Sequence, residues 1–285
     1  MSWLEERFTT HEGRPLRYLT GGSGPPMLLC HGFIGSAENF DDWFPELLQR
    51  RTVVVPDLPG FGKSAPLASR HDGMSLACAT LAAADDARIE RYDVAGLCLG
   101  SCVALAVQRL RPDAVDRVLL HTPLLKPRLV RRRLRAQWAV MLAPVVYSGV
   151  VWLGHQRWAS DVYKRFMVEG TDVDPVAAQA NFDNQMRANP QAAREWLRDG
   201  LRRDDLAQVR DSGRRAMIIV ARHDRIVDVI RVERALRGAS NVSLAIIEDA
   251  GHGWTEAMGQ RQREFIAAFL DDRPLPSQSA VTEAA

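Results

Sequence analysis

The sequence predicts an α/β protein built on a parallel sheet, and three observations carry that expectation. Short apolar runs at residues 27–30, 52–55, 92–95 and 118–120 are bounded by Gly, Pro or Asp and are almost uniformly hydrophobic, as strands covered on both faces are. Helical stretches at 37–49, 75–89 and 98–110 alternate with them, as βαβ units require. The strand signal then lapses for roughly ninety residues and returns at 216–221 and 242–247, each followed by a helix, so a helical insertion interrupts one sheet.

At the start of the chain, residues 1–22 read as two strands around the turn Glu12, Gly13, Arg14, Pro15, with apolar residues sparse enough for a sheet edge. The core strands and their helices follow. After Pro123 the periodicity is helical, broken by Pro and Gly. The expected organisation is a core of residues 1–122 and 211–272, a helical segment 123–210, and a mobile tail 273–285 rich in Pro, Ser and Ala.

With 285 residues, 46% hydrophobic and 25% charged, the composition is that of a soluble globular protein and excludes disordered, collagen-like and disulfide-framework classes. The net charge of +2 gives no reason to expect nucleic acid as a partner. Only Lys63, Lys126 and Lys164 among the 37 basic residues are lysines, so a single arginine carries little weight. Residues 1–7 hold two acids where a secretory signal needs a basic and then apolar start, which points to the cytoplasm and to free thiols at Cys30, Cys78, Cys98 and Cys102.

The most informative segment runs from Tyr92 to Leu110. A strand feeds directly into a helix through Gly96, Leu97, Cys98, Leu99 and Gly100, the G-x-nucleophile-x-G pattern in which small residues let the backbone turn sharply and present the central side chain above the sheet. Taken alone, the pentapeptide fits a buried packing cysteine as well as a nucleophile. Four further segments favour the nucleophile. His31, Gly32 and Phe33 follow the first core strand, where the N–H groups of Phe33 and Leu99 would point at the oxygen of a tetrahedral intermediate. Residues 56–64 follow the next strand, with Asp57 read as a structural acid at a tight turn. Asp224, in 221–227, and His252, in 249–253, come after the two late strands in the chain order nucleophile, acid, histidine.

These separated motifs resemble the α/β-hydrolase superfamily over nearly the whole chain, from Trp3 to about Asp272. The resemblance implies an eight-stranded, mostly parallel sheet with a helical cap inserted after the sixth strand. It also implies Cys98 as nucleophile, His252 as base, Asp224 as the acid that orients it, and the Phe33 and Leu99 backbone as oxyanion hole. Most members carry serine where this chain has Cys98. Dienelactone hydrolases and polyhydroxyalkanoate synthases have cysteine there, whereas residues 31–33 and 57–64 look more like cap-bearing esterases, C–C hydrolases and epoxide-hydrolase relatives. Epoxide and haloalkane hydrolysis are set aside because they need a carboxylate nucleophile.

A cysteine at a helix N-terminus beside an imidazole has its pKa lowered, so the thiolate can attack a carbonyl and form a thioester that water, an amine or a thiol then releases. The expected activity is therefore that of an esterase, thioesterase or acyltransferase with a small-molecule or carrier-bound acyl substrate. A C–C bond or dienelactone-type hydrolase is the alternative among enzymes. A ligand-sensing or redox-responsive binding protein, with Cys98 as sensor thiol and Cys102 as its resolving partner, is the alternative of another class. No metal or cofactor is expected, since neither ligand-spaced His/Cys clusters nor a phosphate-cradling glycine loop occurs.

The helical segment opens with six basic residues in residues 126–135. A collar for an anionic handle, an interfacial segment on acidic lipid, and a solvated arginine face are the three readings, the last being favoured on the chain's arginine bias. Trp138, Met141, Tyr147, Trp152 and Trp158 supply apolar surface that predicts a hydrophobic substrate, with His31 and His121 as further candidate contacts; His31 reads more readily as a hydrogen-bonded packing residue near the oxyanion loop, and His121 either lines the site or packs.

Overall fold

Strands Glu5–His11 (β1) and Arg14–Gly22 (β2) form an antiparallel hairpin whose two-residue turn, Glu12 and Gly13, has φ of 51° and 71°. Positive φ at both positions matches the right-handed strand twist, and the hairpin forms the sheet edge that its sparse apolar residues predict. The computed structural model describes residues 4–143, 146, 149, 152, 158, 175–252 and 256–276.

Six further strands complete the sheet: Pro26–Cys30 (β3), Thr52–Pro56 (β4), Tyr92–Leu97 (β5), Val115–His121 (β6), Arg215–Ala221 (β7) and Val242–Ile247 (β8). Their order is β1-β2-β4-β3-β5-β6-β7-β8, with β2 antiparallel to both neighbours and every other pair parallel. Alternation along each strand divides the core between the two faces. Leu28, Cys30, Val54, Val94, Ile218 and Val220 bury on one side, and Met27, Leu29, Val53, Val55, Ala95 and Met217 on the other.

The helices are Phe44–Leu47 (α1), Gly73–Asp86 (α2), Gly100–Leu110 (α3), Arg132–Met141 (α4), Pro175–Arg187 (α5), Pro190–Gly200 (α6), Leu206–Asp211 (α7), Val229–Leu236 (α8) and Glu256–Leu270 (α9). Helices α4 to α7 lie between β6 and β7, after the sixth strand. Most of residues 144–174 of this insertion, Tyr147 among them, and residues 277–285 of the tail lie outside the described residues.

Two sequence-based boundaries are corrected. The helix expected over 37–49 is instead a 3-10 turn, Ala37–Phe40, followed by the four-residue α1. Pro45 cannot donate to a continuing helix, and the Ala37 N–H is taken by Asp57 Oδ1 at 2.7 Å. The break lets Phe40, Trp43, Phe44 and Leu47 all pack onto one face of the sheet. The helix expected from residue 98 starts at Gly100, because Cys98 has φ +48° and no helix can include it.

Asp57 is fully buried at the end of β4 and is held from three sides. Its Oδ1 accepts from Ala37, and its Oδ2 accepts from the Lys63 N–H at 2.8 Å and from Arg17 Nη1 at 3.1 Å. Arg17, itself buried, also donates to Glu6 at 2.8 Å and Glu38 at 2.7 Å. Removing the guanidinium strands a buried carboxylate, so Arg17→Met is expected to lose about 3–5 kcal/mol of unfolding free energy in urea titration. Adding Asp57→Asn should recover part of that loss, and additive losses from the two changes would refute the coupling.

Candidate active site

In chain order β3 leads to β4 on one side while β5 leads to β6 on the other, so the loops leaving β3 and β5 diverge and open a crevice at the carboxyl ends of the two strands. Residues 31–33 and 98–99 lie at those ends.

The turn between β5 and α3 is shaped by contact distance. A β-carbon at Gly96 would lie 2.6 Å from Ser101 Cα, and one at Gly100 would lie 2.2 Å from the carbonyl oxygen of His31. Only glycine lets α3 start this close to β3. Cys98, between them, takes the left-handed conformation, donates its N–H to the His121 carbonyl at 2.8 Å, and keeps a half-buried side chain. The Gly32 backbone faces it, since a β-carbon there would sit 3.6 Å from Cys98 Cβ. Among the described residues the N–H groups of Phe33 and Leu99 have no acceptor.

Of its two readings His31 takes the packing one and acts as a clamp, not as a substrate contact. It is fully buried, and its Nε2 accepts from the Leu58 N–H at 2.9 Å, which leaves Nδ1 to donate to the Gly32 carbonyl at 2.8 Å. Both ring nitrogens are thereby used, and burial keeps the pKa below the usual imidazole range. The ring packs edge-on against Trp196 of α6, which also meets Phe33 and Phe61 at centroid distances of 6.1 and 5.2 Å. Sequence reasoning missed Trp196. The signal was present in the spacing of Ala192, Ala193, Trp196, Leu197 and Gly200, one buried face of α6.

The loops after β7 and β8 are tied by the His223 N–H donating to the Ala250 carbonyl at 2.9 Å, and they bring Asp224 to His252. Asp224 is fully buried. Its Oδ2 lies 2.8 Å from His252 Nδ1, and its Oδ1 accepts from the Ile226 and Val227 N–H groups at 2.6 and 2.8 Å. Burial favours the neutral acid, but these donors overcome it and hold the carboxyl below its usual range. Asp228, a helical turn later, instead caps α8 by accepting from the Arg231 N–H at 3.3 Å.

The His252 side chain is about a fifth exposed. Burial opposes its charge, yet attraction to the Cys98 sulfur and hydrogen bonds to Asp224 and Cys98 raise its pKa to about 10. His121, at the end of β6, is buried with its ring edge-on to Trp43, and among the described residues its Nε2 has no hydrogen-bond partner. Burial first, and then repulsion from His252, lower its pKa to about 4, so it stays neutral.

Cys102 is buried against the Trp196 indole, with Nε1 to Sγ 3.3 Å, and burial raises its pKa to about 12. That is the environment of a packing thiol, not of the resolving thiol considered above. Among the residues expected to roof the substrate, Trp138 is half-buried and packs, as Cys98 does, against the large apolar cluster that contains Leu99. Trp152 is 67% exposed, contrary to that expectation. The Met141 side chain lies outside the described residues.

The family model of the alpha/beta hydrolase fold matches residues 25–253, and the chain belongs to that family. Over 117 residues, 41% of this chain, it is 33% identical to a pyrrolizixenacetamide deacetylase of Xenorhabdus hominickii. Over 105 residues, 36% of this chain, it is 39% identical to the dihydrolipoyllysine-residue acetyltransferase component of an acetoin cleaving system of Pseudomonas putida. The matched stretches span 44% and 28% of those two proteins, less than half of either. The crystal structure of E-2-(acetamidomethylene)succinate hydrolase superposes with a TM-score of 0.77 at 18% identity, covering 94% of this chain and all of that one, and so shares the fold. No helix among the described residues is long and apolar enough to cross a membrane.

The left-handed backbone at Cys98 reverses the usual order of small residues. Cys98→Gly is expected to be more stable than Cys98→Ala by about 1 kcal/mol in chemical denaturation, because only the alanine keeps the strained φ. An alanine variant equal to or above the glycine variant would mean the turn relaxes without cost.

Proposed function

We propose that this chain is an acyl hydrolase or acyltransferase that works through an acyl-Cys98 intermediate on an ester or thioester of an apolar acyl group. The observation that carries this reading is His252, held at 2.8 Å by the buried Asp224 and near enough to the Cys98 sulfur for that sulfur to help raise its pKa to about 10. With Nδ1 committed to Asp224, Nε2 is the nitrogen left for the sulfur.

In the proposed cycle the Cys98 sulfur attacks the carbonyl carbon, and the resulting oxyanion receives the N–H groups of Phe33 and Leu99. Collapse breaks the bond to the leaving alkoxide or thiolate, which takes a proton from the His252 imidazolium. His252, now neutral, removes a proton from water or from an acceptor alcohol, amine or thiol, which attacks the thioester. A second collapse breaks the carbon–sulfur bond, releases the acyl product and expels the Cys98 thiolate beside a His252 that already carries the proton, as at the start of the cycle. Asp224 stays ionised throughout and fixes the ring. The half-buried Phe33, Trp138 and Leu142 pack on the same large apolar cluster as Cys98 and support an apolar acyl chain.

Incubation with p-nitrophenyl esters and acyl thioesters is expected to add one acyl mass to Cys98, and His252→Ala to prevent it. Discharge by water assigns a hydrolase, and discharge only by an added nucleophile assigns a transferase. Absence of an adduct with every donor would refute both.

The raised pKa of His252 sets the pH dependence. An imidazole whose pKa rises from about 6.5 in the unfolded chain to about 10 in the folded one stabilises the fold below about pH 6.5 and loses that contribution as pH rises through about 10. The difference in unfolding free energy between the unaltered protein and His252→Gln is therefore expected to shrink in urea titrations as pH rises from about 7 to 10. A difference that does not change with pH over that range would refute the raised pKa.

A further inference from the structure

We propose that a depression between α4 and α6 binds the phosphate groups of the substrate's thiol handle, which makes the substrate a thioester of a phosphorylated pantetheine. The proposal rests on the acyl-Cys98 reading and deepens it by naming the substrate class.

The depression has a volume of about 770 Å³ and is lined by four arginines, Arg132 and Arg135 from α4, Arg198 from α6 and Arg202 just beyond it, over a floor that includes Leu142 and Leu201. Among the described residues no carboxylate lines it. Among the described residues the guanidinium groups of Arg132, Arg198 and Arg202 have no hydrogen-bond or ion-pair partner. Arg135 donates from Nη1 to the Pro127 carbonyl at 3.1 Å, while its Nε is buried with no partner among the described residues.

The arginine-rich composition of the chain does not account for this cluster, because the acids beside it are committed elsewhere. Asp199 accepts from the Gly73 N–H at 2.9 Å and faces Arg203 at 3.5 Å. Asp205 pairs with Arg109 at 2.9 Å and Arg203 at 3.0 Å, and Asp204 pairs with Lys126 at 2.5 Å. Even Arg131, which heads α4, turns its Nε to the Asp224 carbonyl at 2.9 Å. What remains is four mutually repelling cations around one concavity, an arrangement that an anion of several charges relieves.

Phosphate suits it better than a lone carboxylate, since several planar guanidinium groups can each give paired hydrogen bonds to its oxygens. The depression also adjoins the candidate active site. Gly200, between Arg198 and Arg202, is pressed against Leu99, where an added β-carbon would lie 2.2 Å from Cδ1. Leu142 and Leu201 pack on the same apolar cluster as Cys98 and Phe33.

The test is calorimetric titration of the full chain with coenzyme A, 4′-phosphopantetheine and unphosphorylated pantetheine, repeated with Arg198→Gln/Arg202→Gln. Coenzyme A is expected to bind at least about tenfold more tightly than pantetheine, and the double variant to lose that difference at an unchanged thermal midpoint. Affinity should fall with added salt. Equal affinity for phosphopantetheine and coenzyme A would assign the handle of a carrier protein, and tighter coenzyme A the free nucleotide thioester. The ratio of kcat/KM for an acyl-coenzyme A over an acyl-N-acetylcysteamine thioester is expected to drop about tenfold or more in the variant. Equal affinity for pantetheine and coenzyme A, or an unaffected double variant, would overturn the site. Turnover of the N-acetylcysteamine thioester without coenzyme A binding would leave the chemistry standing and remove the site. Coenzyme A binding without acylation of Cys98 by any donor would do the reverse.

Discussion

The close seating of α3 on the end of β3 governs the rest of the candidate site. The backbone at Gly100 approaches the carbonyls of Cys30 and His31 so closely that a side chain is excluded. The turn leading into it is therefore too tight for ordinary φ, and Cys98 is pushed to φ +48°. Such a residue costs on the order of 1–3 kcal/mol and persists only where its surroundings over-determine it. Here Val103, Ala104, Ala106 and Val107 anchor α3 by burying completely against the sheet. The same contact sets the spacing between the Leu99 N–H and the loop carrying Phe33, so one steric constraint fixes both the proposed nucleophile and the proposed oxyanion donors.

Two buried carboxylates follow β4 and β7, and what satisfies each decides what it can do. Asp57 is satisfied by a guanidinium and by the N–H groups of Ala37 and Lys63, so it locks two loops and has no capacity left. Asp224 is satisfied by two N–H groups on Oδ1 alone, which leaves Oδ2 for His252. The nearby cation Arg131 donates to the Asp224 main-chain carbonyl rather than to its carboxylate. No guanidinium shares the charge of Asp224, and its full effect falls on the imidazole. A pair of chemically identical residues thus separates into a structural and an electrostatic role through the partners the backbone supplies.

The sheet was legible because its strands are short, uniformly apolar and punctuated by Gly, Pro and Asp. Cys98, Asp224 and His252 were legible because each falls just after such a strand. What escaped depends on contacts distant in sequence. The 37–49 segment has helical composition, but Asp57, twenty residues later, captures its first N–H, and Pro45 divides it. The packing role of His31 was legible but its partners were not: both ring nitrogens are consumed by backbone groups, one of them at Leu58 on a different strand end. Trp196 lay outside the aromatic-rich stretch that drew attention, although its helix carries the clearest apolar stripe of the insertion. The basic run at 126–135 looked like one patch. In three dimensions it divides, with Lys126 paired to Asp204, Arg131 reaching the Asp224 loop, and only Arg132 and Arg135 joining two arginines some sixty residues later.

Helix α6 carries two of these features at once, which gives the insertion a definite mechanical relation to the core. Its buried face ends in Trp196 and Gly200, the first packed on His31 and Phe33 and the second on Leu99, so the helix touches both candidate oxyanion donors. Arg198, two residues from each, lies about 200° around the helix from both and turns to the arginine-lined depression. The helix is eleven residues long and capped by Asn189, whose side chain accepts from the Gln191 and Ala192 N–H groups, so its two faces share one continuously hydrogen-bonded backbone. Any force on the guanidinium face is therefore delivered to the two loops that flank Cys98. Among the described residues of the insertion, this helix is therefore an element that links its arginine face to the loops carrying the proposed site.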